Sequence, residues 1–130
     1  MIERGESQFS EKEKEQFMLV RQKIARWIYE NIVPFVEDKE ITVSYGDTMY
    51  GGGENTSEWC LVVNKNGVGV RHGFGGADWI NQHGEYIDHP LFPTNLALAL
   101  FRNWDGIKPT LLDKLDAIKR ENKRLETFEA

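Results

Sequence analysis

The sequence carries a single cysteine, Cys60, among 130 residues. An intrachain disulfide is therefore excluded, as is a zinc site built from several cysteines of one chain. Long apolar runs are missing too. The longest near the end, Leu96 to Phe101, is far below the roughly 20 residues that span a bilayer as a helix, so no membrane partner is expected. The N-terminus is polar and acidic, with no apolar leader segment, and a cytoplasmic location is the expectation. Basic residues are outnumbered, 16 Lys and Arg against 21 Asp and Glu, giving a net charge of −5. Nonspecific nucleic-acid binding, which depends on clustered cations releasing counterions, does not fit that balance. A small anion still fits, since one arginine and a few amides can hold it. Proline is scarce, at four residues, and each marks a boundary.

What remains is a composition suited to one packed domain over residues 1–130, with residues 1–9 as a loose tail and 40% apolar residues for a core. Ser10 and Glu13 form a capping-box pattern. Apolar residues then recur at 17, 20, 24, 27, 28, 32 and 35, predicting a helix over 11–33 that Pro34 ends. Ile41, Val43 and Tyr45 alternate with polar or small residues, as in a half-buried strand. Trp59–Val63 and Val68–His72 flank Asn66-Gly67, a hairpin turn pattern. With Asn66-Gly67 as the two turn residues, Lys65 faces Val68, Val63 faces Val70, Leu61 faces His72 and Cys60 faces Gly73. One face is then an apolar core wall, and the other holds Arg71 between Gly69 and Gly73. A further short hairpin is expected around His83-Gly84. A buried helix over 96–104 follows, ended by Asp105-Gly106, and a last helix over 109–126 starts at Pro109. The expected fold is α+β: an N-terminal helix, an antiparallel meander of about four to five strands, and two C-terminal helices. Trp27, Trp59, Leu61, Val63, Val70, Leu98 and Phe101 are the expected interior.

The candidate chemistry centres on Arg71. Flanking glycines leave room for a flat ligand, and a guanidinium can hold phosphate or stack on a base. The competing reading pairs Arg71 with an acidic neighbour. Trp79 or Phe74 is the stacking candidate, Asn81 the reader of a base edge, and Arg102 a second phosphate contact. Gly51-Gly52-Gly53 and Gly73-Phe74-Gly75-Gly76 match no phosphate-loop spacing and read as turns. His72, His83 and His89, with Asp78, Glu85 and Asp88, match no metal-ligand spacing. No cofactor, catalytic residue or metal ligand is assigned. Cys60 reads as core. On the last helix, Leu111, Leu115, Ile118, Asn122 and Leu125 follow a 4-3-4-3 spacing, which predicts a homo-oligomer seam; the competing reading packs the stripe on the first helix of the same chain, with Asn122 near solvent.

The closing stretch from Asn103-Trp104-Asp105-Gly106-Ile107-Lys108-Pro109 to Leu125-Glu126-Thr127-Phe128 looks like the tails of small phage and prophage proteins. In size and element order the chain resembles the Thoeris anti-defence sponge proteins of the first type. That resemblance implies a non-enzymatic protein that sequesters a cyclic ADP-ribose-type immune signal in the host cytosol. It assigns no residue here. The alternatives are an inhibitor that binds a host defence protein directly, as anti-CRISPR proteins do, and a small His/Asp/Glu metal-dependent enzyme.

Overall fold

The computed structural model describes residues 9–44, 59–72, 77–87 and 94–130. It is an α+β fold in the order α1 (Glu11–Asn31), a 3₁₀ turn (Val33–Phe35), β1 (Ile41–Ser44), β2 (Trp59–Asn64), β3 (Gly67–His72), β4 (Asp78–Ile80) and α2 (Thr94–Glu126).

The start of α1 follows from its sequence. Ser10 Oγ accepts from the Glu13 amide at 3.0 Å, and Glu13 Oε1 accepts from the Ser10 amide at 3.1 Å. Two amides that no helical carbonyl can reach are thereby satisfied. Pro34 lies in the 3₁₀ turn, where its lack of an N–H costs little. Glu37 then takes a left-handed conformation, φ 56°, and turns the chain toward β1. The stripe Ile24, Ala25, Ile28, Ile32 and Val36 is buried.

The sheet is a four-stranded antiparallel meander in the order β1-β2-β3-β4. Its turn differs from the expected one. Lys65 and Asn66 occupy the turn and Asn64 pairs with Gly67, so β3 is displaced by two residues from the predicted register. The Asn64 carboxamide decides this: its Oδ1 accepts from the Asn66 amide at 2.8 Å, closing a side-chain turn. Gly67, at φ 132°, is the turn-region residue with positive φ, while Asn66 is not among those with φ above zero. Side chains alternate with a period of two, so a two-residue slip preserves both faces. Leu61, Val63, Val68 and Val70 form the core wall, joined by Ile41, Val43 and Ile80. The partners do change: Leu61 faces Val70, Trp59 faces His72, and Cys60 faces Arg71.

The hairpin expected after β4 shrinks to an Ile80–Tyr86 bridge closed by the loop 81–87. Asn81 closes that loop, with Oδ1 accepting from the His83 amide at 2.8 Å and the Glu85 amide at 3.0 Å.

The two C-terminal helices expected from Asp105-Gly106 and Pro109 are one helix, Thr94–Glu126, with Pro109 inside it. The apolar stripe explains the continuity. Leu100, Ile107, Leu111 and Leu115 are buried in the shared core and stay in phase across the Gly-Pro segment. Burial of that stripe against α1 and β1 outweighs the local cost of Gly and Pro. Thr110 Oγ1 donates to the Gly106 carbonyl at 2.8 Å, and Lys114 Nζ donates to the Thr42 carbonyl at 2.6 Å, tying α2 to β1. Among the expected interior residues, Leu61, Val63 and Val70 are buried, Trp27 and Leu98 are half-buried, and the Trp59 side chain lies outside the described set. Phe101 is a correction. It is 54% exposed, because it stands at the flank of the buried stripe Leu100, Ile107 and Leu111 rather than within it.

Candidate functional site

Both helices contribute to the core on one face of the sheet. The other face carries Cys60 and Val62 from β2, Gly69 and Arg71 from β3, and Trp79 from β4. This is the face on which the sequence places its anion candidate.

Gly69 is opposite Trp79. A Cβ at Gly69 would lie 2.9 Å from Ala77 Cβ and 3.2 Å from Trp79 Cε3, so the absence of a side chain lets the indole lie on the strand. Arg71 is two residues further along the same face, roughly 7 Å of strand away. The displaced register puts its guanidinium beside Cys60, with an Nη2 to Sγ distance of 3.6 Å. Arg71 Nε is buried and has no hydrogen-bond acceptor among the described residues. The acidic partner required by the competing reading is missing among the described residues. A buried guanidinium N–H without an acceptor is unusual, since nearly all buried polar groups are paired.

The remaining candidates separate. Phe74 lies outside the described residues, as do the clusters Gly51–Gly53 and Gly73–Gly76. Asn81 is not free to read a base edge: its Oδ1 closes the 81–87 loop and its Nδ2 donates to Glu85 Oε1 at 3.3 Å. Arg102 is exposed on α2, in the helical layer on the other side of the sheet, so it cannot share one small ligand with Arg71. Among the described residues, no group of three or more His, Cys, Asp or Glu could hold a metal ion. His83 is exposed in the 81–87 loop, while His89 and the His72 side chain lie outside the described residues.

The oligomer seam is also redistributed. Leu111 and Leu115 are buried in the chain's own core, and Ile118 packs partly against it. Asn122 Nδ2 donates to Glu37 Oε2 at 3.2 Å. Only Leu125 is left open, at 66% exposure. The 4-3-4-3 spacing is the same for an intrachain stripe and an intermolecular one.

Sequence reasoning missed the groove in which Arg102 lies. It measures about 530 Å³, between α1 and α2, and is lined by Val20, Lys23, Ile24, Trp27, Phe101, Arg102, Trp104 and Asp105. The sequence hint was the aromatic content of α2, read there as burial. Among the described residues, no helix is long and apolar enough to cross a membrane. Comparison with family models, curated proteins and solved structures finds no match to this chain.

Proposed function

We propose that this chain is a non-enzymatic binding protein that holds a small nucleotide-like anion on the sheet face bearing Arg71 and Trp79. One observation carries the reading: Arg71 Nε is buried without an acceptor among the described residues. A phosphate oxygen would supply that acceptor, in the charge-assisted bond for which a guanidinium is suited. Trp79, lying over Gly69, adds a flat apolar surface beside it, on which a base can stack. The neighbouring thiol, Cys60, is buried and offers weak hydrogen bonding, so it does not compete for the guanidinium as a carboxylate would. Capture without turnover also accords with the resemblance to anti-defence sponges, in which sequestering a signalling nucleotide blocks host defence.

Calorimetry against a panel of cyclic nucleotides and ADP-ribose derivatives tests this. A bound member should raise the melting temperature and be recovered intact after denaturation. Arg71→Ala should abolish binding, and Arg71→Lys should weaken it, because an ammonium cannot present two parallel donors. Undiminished binding by Arg71→Ala would remove the site from this face.

A second reading, direct inhibition of a host protein, is favoured by Leu125 and Phe128, exposed at 66% and 62% beside Arg120 and Arg124. It predicts no thermal shift with any nucleotide, and a stoichiometric partner lost on Leu125→Asp.

A further inference from the structure

We infer that the groove between α1 and α2 is a second binding site, for a planar aromatic ring bearing one carboxylate or phosphate group. Its floor is the pair Trp27 and Trp104, edge to face with centroids 5.4 Å apart and planes at 84°. Phe101 stands beside them with over half of its surface open to water. Large aromatic side chains left open at the edge of a concave, mainly apolar groove are characteristic of ligand sites. The volume, about 530 Å³, suits one fused ring system.

The charges specify the sign of the ligand. Lys23 and Arg102 line the groove, and Lys108 Nζ lies 5.0 Å from the Trp27 ring centroid. No ion pair is found for any of these three cations among the described residues. Asp105 is the one carboxylate among the described lining residues. The rim therefore carries a local charge of about +2 in a chain whose net charge is −5. Among the described residues, an anion entering here meets cations that make no ion pair, so it displaces no salt bridge. A ring with an anionic substituent uses both features at once, burying its flat body against Trp104 and Phe101 while its charge reaches Lys23 or Arg102.

Calorimetry with naphthalene-2-carboxylate and naphthalene-2-methylammonium tests the inference, because the two probes share a ring and differ in charge. The carboxylate should bind at least about tenfold more tightly, the factor of one hydrogen bond to a charged group. Lys23→Glu/Arg102→Glu, at two exposed positions, should remove or reverse that preference without changing the melting curve. Phe101→Ala should weaken both probes. Equal affinity for the two probes, no binding of either, or an unchanged preference in the double variant would overturn the assignment. So would a dimer that dissociates on Phe101→Ala, which would give the groove to a second copy of the chain. Arg71→Ala should leave naphthalene-2-carboxylate binding intact; its loss there would place the probe on the sheet face instead. The two sites thus stand or fall separately.

Discussion

The hydroxyl of Tyr29 occupies the space in which a Cβ of Gly67 would stand. From there it donates to the Ile80 carbonyl and accepts from the Val68 amide at 3.4 Å. One side chain of α1 thus fixes the hairpin turn and the end of β4 together. Gly67→Ala should cost about 1–3 kcal/mol, from a residue held at φ 132° and from displacement of Tyr29. Tyr29→Phe should cost about 1–3 kcal/mol, by leaving a carbonyl unpaired. The double variant should lose clearly less than the sum, since both changes act on one contact. Urea melts of the four proteins check this; strict additivity would show that the two residues do not meet.

Gly84 is in the same position relative to Arg21. It has φ 77°, and a Cβ there would lie 2.6 Å from Arg21 Cγ and 3.0 Å from the Arg21 carbonyl oxygen. Arg21 is buried on α1, where desolvation lowers its guanidinium below the ordinary value and the charge of Glu85 opposes that shift. Gly84→Ala should therefore destabilise by more than about 1 kcal/mol, through strain and backbone crowding together. Thermal melts decide it, and a variant as stable as the parent would mean that the 81–87 loop does not dock on α1.

Gly106→Ala separates one continuous helix from two. The glycine is exposed, its φ is not positive, and a Cβ would meet nothing within 4 Å. Inside a helix, alanine should stabilise by roughly 0.5–1 kcal/mol. At a helix C-terminus in the left-handed conformation the same change would destabilise. The sign of the shift in Tm is the measurement.

The stripe on α2 makes a graded prediction. Leu111→Ala should cost roughly 2–5 kcal/mol, as expected for a fully buried leucine that leaves a cavity. Leu125→Ala should stay within about 0.5 kcal/mol of the parent and leave the particle size by light scattering unchanged. A stability that rises with protein concentration and is lost on Leu125→Ala would assign the stripe to an interface between copies.

Local rules were sufficient wherever the deciding atoms are close in sequence. The capping box at Ser10 and Glu13, the end of α1 before Pro34, and the alternation that separates Leu61, Val63 and Val70 from Cys60 and Arg71 all follow from neighbours a few positions apart. Arg71 and Trp79 share a face because strand periodicity and meander order put them there. The sequence could not say that Arg71 lacks an acidic partner among the described residues, since local rules leave each of 21 carboxylates equally free to fold back to it.

Where competing local rules pointed different ways, distant packing chose between them. Asn66-Gly67 and Asn64 each offer a turn, and the register with Gly67 against Tyr29, 38 positions away by residue number, is the one adopted. Gly106 and Pro109 are local breaks, yet burial of Ile107 and Leu111 keeps α2 whole, because a continuous apolar stripe against α1 and the sheet gains more than two poor helix formers lose. The same packing leaves Phe101 outside and gathers Trp27, Trp104, Lys23 and Arg102 from helices far apart in the chain. Residue types and periods came from the sequence alone. Which residues meet across 70 or more positions was set by the tertiary structure, because only a folded chain weighs long-range burial against local preference.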